Sequence, residues 1–300
     1  MKPNFFIIGA PKCGTTAISE YLRTHPAVFM STPKEPSYFA TDLPGMRYVD
    51  RLSDYEQLFD RAGPEHQVIG EASPSYLFSG EAIAQIAAYR PDAKILVMLR
   101  PPADMLPSYH SQLCYSSFED RADLETAWDL QQERRRGQHI PPACREPRVV
   151  QYARVAAFAD QLERVLRHFP ASQVHIVLYA DLRRDVLAVY RGILDFLQLE
   201  DDGRSEFPVV NPRKAARFGA LNRALHTPPA WTRRLMARLS GTRLHDALVK
   251  TYGALLRANT RPRTKAGLDP DFRRRLVEFY REDVARLEKI LGRQLDDWRR

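Results

Sequence analysis

Cysteine is scarce in this chain of 300 residues: three, at positions 13, 114 and 144. Three thiols cannot all pair, and their spacing matches no metal-ligand pattern. A disulfide framework and a cysteine-built metal site are therefore not expected, and a reducing, cytoplasmic setting is. No apolar run approaches the roughly eighteen residues of a membrane-spanning helix. The amino terminus enters a strand-like run directly, without the basic segment, apolar stretch and cleavage site of a secretory leader, so no leader is expected. Low-complexity tracts and fixed-period repeats are also missing, which excludes repeat architectures.

What remains is an ordinary globular composition, 44% hydrophobic and 27% charged, long enough to bury a sizeable core. The net charge of +8 is unevenly spread. Residues 1–210 hold 23 Lys and Arg against 28 Asp and Glu, a net of −5; residues 211–300 hold 22 against 9, a net of +13. Such a basic segment suits either an anionic partner or arginine-rich solvated helices. Trp231, Leu235, Leu239, Leu248, Tyr252 and Leu255 lie there among basic neighbours. They fit a helix packed on the domain, with peripheral membrane contact as the alternative.

The most informative stretch is Phe5-Phe6-Ile7-Ile8-Gly9-Ala10-Pro11-Lys12-Cys13-Gly14-Thr15-Thr16. Its apolar start reads as a buried strand, Gly9 opens a tight loop, and Thr15-Thr16 begin a run with helical spacing. Strand, glycine-bounded loop and helix start together make an anion cradle, because backbone N–H groups and the helix dipole converge there. Against the nucleotide-triphosphatase pattern G-x-x-x-x-G-K-[ST], the loop matches at Gly9, Gly14 and Thr16. Thr15 stands where the lysine belongs, and the loop's lysine is Lys12.

Further strands are expected at residues 67–71, 94–100 and 173–179, with helices at 81–89, after Pro101-Pro102, over 151–167 and over 187–197. This alternation predicts an α/β fold with a P-loop-like parallel sheet flanked by helices. A short helical patch at 55–59 reads as a surface connection. The pattern beyond Asn211 is helical and basic and closes with an amphipathic helix over 272–291, after which Trp298 packs back. The expectation is one domain over 1–300, made of an α/β core (1–210) and a helical extension (211–300).

A P-loop phosphotransferase needs a carboxylate at a strand end to hold magnesium. Here the strongest strand ends in Arg100, with Ser108 eight residues on. A cation at the C-terminal edge of a parallel strand, with a hydroxyl in the next helix, suits a second phosphate. Asp181 follows another strand and reads as a helix cap rather than a metal ligand. Two anion sites without a metal site fit a nucleoside carrying phosphates at both ends.

On these motifs the chain resembles the sulfotransferases that use 3′-phosphoadenosine 5′-phosphosulfate, the branch shared by bacterial and Golgi carbohydrate enzymes. Pro11 to Thr16 resembles the family's 5′-phosphosulfate loop. Lys34-Glu35-Pro36-Ser37-Tyr38-Phe39 resembles the segment carrying the general base. Arg100 with Ser108 resembles the R-x7-S element for the 3′-phosphate, and Tyr179-Ala180-Asp181-Leu182 a strand end of the family. The tail from Phe279 to Trp298 is similar to that of bacterial members.

The resemblance implies in-line transfer of a sulfuryl group to a hydroxyl or amine of a sugar, lipid or secondary-metabolite acceptor, with no metal required and no nucleic-acid partner. Lys12 would stabilise the leaving phosphate, the loop through Cys13, Gly14, Thr15 and Thr16 would bind the 5′-phosphate, and Glu35 would be the base. His110 is an alternative base, and Arg213, Lys214 and Arg217 are the residues offered for closure over the 3′-phosphate. Cys13 has no histidine partner nearby, so a catalytic thiol is not expected. One departure stands out: Ala72 follows Glu71 where heparan-type members carry a lysine, which argues against a heparan-like acceptor. A P-loop small-molecule kinase and a non-catalytic nucleotide-binding or membrane-surface protein are the rival readings.

Overall fold

A computed structural model describes residues 1–208 and 267–300 and, between them, 210, 214–216, 251–252, 255 and 258–262. The described chain divides into two compact units. One comprises Met1–Leu106, Tyr152–Asn211 and Asp269–Arg300; the other comprises Pro107–Gln151 and Pro212–Leu268.

The first unit is built on a five-stranded parallel sheet of β1 (Phe5–Gly9), β2 (Val28–Met30), β3 (Val68–Ala72), β4 (Lys94–Leu99) and β5 (Val174–Leu178). Their order across the sheet is β2-β3-β1-β4-β5. Every residue of β1 and β3 is buried, as the near-continuous apolar character of a doubly covered parallel strand requires. Helix α1 (Thr15–Arg23) packs against β1, β2 and β3. The chain then forms α2 (Leu52–Gln57), α3 (Ala82–Tyr89) and α4 (Pro102–Tyr115). The division between the units falls within α4, at Pro107.

In the second unit α4 is followed by α5 (Leu124–Asp129) and α6 (Gln131–Arg135). Arg134 there forms a bidentate, fully buried pair with Glu119 (2.7 and 2.8 Å). The short strands β6 (Lys214–Ala216) and β7 (Thr260–Pro262) pair antiparallel.

Back in the first unit come α7 (Tyr152–Val155), α8 (Phe158–His168), α9 (Tyr179–Arg184), α10 (Val186–Leu197), α11 (Pro270–Phe279) and α12 (Arg281–Leu291). The helix expected over 151–167 is thus two. Asp283, from α12, accepts the N–H groups of Phe158 (3.0 Å) and Ala159 (3.1 Å) and so caps a new helix inside an uninterrupted apolar stripe. The closing helix is likewise broken, at Tyr280, whose hydroxyl donates to the carbonyls of Tyr152 and Ala153. Trp298 does pack back, edge-on to Phe158 at 6.1 Å. The patch near 55–59 is no surface connection, because Tyr55 and Phe59 are fully buried in an aromatic cluster with Tyr38, Phe39 and Tyr89. Nor does Asp181 cap a helix. It lies within α9, paired with Arg184 and Arg293, and the cap of α10 is Asp185.

Candidate active site

The strand order fixes where a ligand can enter. After β1 the chain leaves toward β2 on one side, and after β4 it leaves toward β5 on the other. The diverging connections open a crevice beyond the C-terminal ends of β1 and β4, the usual ligand site of an open parallel sheet. The residues after β1 and β4 are the loop Ala10–Gly14 and Arg100.

The loop is shaped by close approaches. Between Ile7 and Gly9 the pairing of β1 with β4 slips, so the strand bends as it reaches the loop. A Cβ on Gly9 would lie 2.4 Å from that of Leu77, so only glycine lets the two segments meet. Ala10 N–H then donates to Met98 O at 2.6 Å, which fastens the loop to β4. Lys12 (φ 62°) and Gly14 (φ 97°) both take left-handed conformations. Gly14 is the N-cap of α1 and makes no side-chain cap. The first N–H groups of α1, on Thr15 and Thr16, have no carbonyl partner within the helix, and its dipole favours an anion there.

Arg100 is 8% exposed. One guanidinium N–H donates to the Lys12 carbonyl (3.5 Å), and its carbon lies 4.8 Å from the centre of the Tyr179 ring. Two cations, Arg100 and Lys12, therefore act on the same loop. Burial pushes the Cys13 thiol up to about 12 although both cations oppose the shift, and its Sγ donates to Pro11 O. It stays a thiol at neutral pH and offers no nucleophile.

On the other side of β1, the ends of β2 and β3 carry two carboxylates. Glu35 follows β2, half-exposed, with Lys34 Nζ at 3.2 Å from its Oε1. The loop bearing it is anchored at its start by Arg23 of α1, which donates to Ser31 O and Thr32 Oγ1, both at 3.0 Å. Glu71, on β3, is fully buried and accepts from Tyr55, Ser73 and Tyr76. Burial raises its carboxyl to about 7, against the lowering effect of those three hydroxyls and with some help from the charge of Glu35. The sequence pattern does not mark Glu71 as more than a strand end. The nearest signal is the run of hydroxyl residues after it, Ser73, Ser75 and Tyr76.

Ser108 and His110 belong to the second unit, in α4. His110 is buried, with Nε2 at 2.9 Å from the carbonyl oxygen of Arg121. Arg213 and Arg217 lie outside the described residues, as do Trp231, Leu235, Leu239 and Leu248; Lys214 is described only in its backbone, as the start of β6. Among the described residues, no group of three or more His, Cys, Asp or Glu is placed to hold a metal ion, and no helix is long and apolar enough to cross a membrane.

Residues 2–208 match the family model described as "Sulfotransferase domain". The chain is 29% identical over 290 residues to the human heparan sulfate glucosamine 3-O-sulfotransferase 3B1, covering 97% of this chain and 63% of that protein. It thus spans somewhat less than two thirds of that relative's length. Rat carbohydrate sulfotransferase 15 is 34% identical over a region covering 40% of this chain and 28% of its own. A solved sulfotransferase from Alicyclobacillus acidocaldarius superposes with a TM-score of 0.71 at 27% identity, covering the whole of both chains.

Proposed function

The chain belongs to the sulfotransferase domain family, and on that footing we propose that it transfers a sulfuryl group to a hydroxyl of a carbohydrate acceptor, with Glu35 as general base and Lys12 stabilising the leaving phosphate. The observation that carries this reading is the join at the crevice. The left-handed loop Lys12–Gly14 opens α1, and Arg100, from the end of β4, bonds the same loop.

The donor, 3′-phosphoadenosine 5′-phosphosulfate, supplies an activated sulfuryl group when bound. The residues present fit its charge: a helix start without a side-chain cap, a glycine whose missing Cβ leaves the loop close-packed, and two cations. Backbone N–H groups of Gly14, Thr15 and Thr16 would hold the 5′-phosphate, and the Arg100 guanidinium the 3′-phosphate. Lys12 would neutralise charge developing on the leaving oxygen, the kind of electrostatic stabilisation that dominates group transfer. Glu35 would take the proton of the acceptor hydroxyl, and Lys34 orients its carboxylate. His110 is left out of the mechanism because its buried ring faces a backbone carbonyl.

The names of the relatives support a carbohydrate acceptor, while Ala72, where the resemblance expects a lysine, favours one other than heparan. A cytoplasmic setting, expected from the scarcity of cysteine, is kept as part of the proposal. The kinase reading is not favoured: the family match opposes it, as do Thr15 and Arg100 at the positions a kinase fills with lysine and aspartate.

Thermal-shift titration tests the nucleotide half of the reading. Stabilisation by 3′,5′-adenosine bisphosphate without magnesium is the expected result, and preference for ATP with magnesium overturns it. Transfer of labelled sulfate to a panel of sugars, lipids and phenols tests the acceptor half; labelling of the lipids or phenols but of no sugar refutes the carbohydrate assignment.

A further inference from the structure

Glu71 has no part in the mechanism above, yet it sits at the centre of the polar network under the Glu35 loop. Tyr55 and Tyr76 donate to its Oε1, both at 2.8 Å, and Ser73 donates to its Oε2 at 2.6 Å. Two of these hydroxyls have a second bond. Ser73 Oγ accepts the backbone N–H of Ser37 (2.9 Å), and Tyr76 Oη accepts that of Phe39 (3.3 Å). A third link, between Ser37 Oγ and Ser75 Oγ at 3.1 Å, ties the same turn to the segment after β3. Ser37 itself is left-handed (φ 52°), an uncommon state for serine that persists where surrounding bonds hold it.

The direction of these bonds is set by chemistry. An ionised carboxylate only accepts, and a hydroxyl has a single hydrogen to give. With Glu71 ionised, as it is above about pH 7, and so the shared acceptor, Ser73 and Tyr76 must both turn their hydrogens inward. Their lone pairs are then left facing the two amides of the loop. A neutral acid or an amide in its place would donate at one oxygen position and compete with a loop amide for a hydroxyl lone pair. The loop is thus held at its start by Arg23 and just after Glu35 by two hydroxyls that answer to one buried acid.

We propose that Glu71 is a positioning residue for Glu35: its carboxylate orients the Ser73 and Tyr76 hydroxyls, and these fix the backbone at Ser37 and Phe39 so that the 34–39 loop presents Glu35 to the acceptor. This rests on the reading of Glu35 as base, and the experiment separates the two. The protein and its Glu71→Gln, Ser73→Ala, Glu35→Gln and Glu35→Gln/Glu71→Gln variants are compared in three measurements. These are kcat for sulfate transfer, affinity for 3′,5′-adenosine bisphosphate, and amide hydrogen exchange over residues 34–40.

Glu71→Gln is expected to speed exchange at Ser37 and Phe39 and to lower kcat by about 10- to 10²-fold, the scale of an ångström-sized misplacement. Bisphosphate affinity should stay within about twofold, and the second substitution should cost little once Glu35 is gone. Ser73→Ala, which cuts the relay to Ser37 alone, should reproduce the exchange effect at Ser37 and serves if Glu71→Gln does not fold. Unchanged exchange at both amides overturns the proposal, as does an equal kcat loss with and without Glu35. Wild-type kcat in Glu35→Gln overturns the base assignment alone, because the exchange result still decides whether Glu71 holds the loop.

Discussion

The Arg100 guanidinium donates to the carbonyl oxygen of Lys12 at 3.5 Å while lying over the ring of Tyr179. One arginine thereby joins the end of β4 to the loop after β1. Lysine can supply the charge but neither the planar fork nor the same stacking. Arg100→Lys is therefore expected to weaken 3′,5′-adenosine bisphosphate binding by roughly 10- to 10²-fold, the worth of a hydrogen bond to a charged group. Calorimetric titration checks this, and unaltered affinity would remove Arg100 from the nucleotide site.

Gly14 is left-handed, and a Cβ there would lie 2.8 Å from Leu182 Cδ2. Gly14→Ala should destabilise the protein by about 1–2 kcal/mol through backbone conformation, with a further contribution if Leu182 cannot move aside. The bisphosphate-induced rise in Tm should shrink as well, because the same residue shapes the anion loop. A melt in the presence and absence of the nucleotide reads both effects.

Lys12→Met should keep the fold and lower kcat by about 10²- to 10³-fold, as loss of one transition-state charge stabiliser does. Bisphosphate affinity should change much less. Equal losses in kcat/KM and in binding would instead make Lys12 a ground-state contact.

Stability should fall as pH rises toward neutrality. Glu71 titrates at about 7 in the folded protein, raised first by burial, so between its ordinary range and pH 7 the folded state binds more protons than the unfolded one. Its neighbours Tyr55 and Tyr76 are themselves pushed upward and stay neutral, which leaves Glu35 as the charge that opposes its ionisation. Asp283, raised by burial to about 6, acts with the same sign. Ionising Glu71 costs on the order of 3 kcal/mol by this reasoning. Urea melts from pH 5 to 8 should show the wild type losing stability and Glu71→Gln losing distinctly less. Parallel curves would contradict it.

Asp283→Ala removes the acceptor for two helix-start amides, those of Phe158 and Ala159. The expected cost is about 0.5–2 kcal/mol, partly restored by Asn, measured by equilibrium unfolding.

Local pattern carries the sheet and the crevice. Phe5 to Thr16 and Lys94 to Arg100 announce strand, loop and cation within a dozen residues each, and the structure builds them as read. Breaks set from a distance do not show in this way. The apolar stripe through Val155, Phe158 and Leu162 runs straight across the gap between α7 and α8, since the interruption is imposed by Asp283 far downstream. Strand β2 has three residues, too few for a period to declare. Glu71 is hidden for a related reason. A charged residue in a strand gives no sign of whether it faces water or a ring of hydroxyls, and that depends on Tyr55, sixteen positions earlier.

The capping of α8 also bears on how the protein is made. Phe158 waits for an acceptor 125 residues further along the chain, and for the ring of Trp298 beyond that. While the ribosome is still reading the intervening codons, this helix start has neither partner. A message cut short ahead of codon 283 would yield a product with an uncapped, partly bare α8, a natural target for chaperones and proteases.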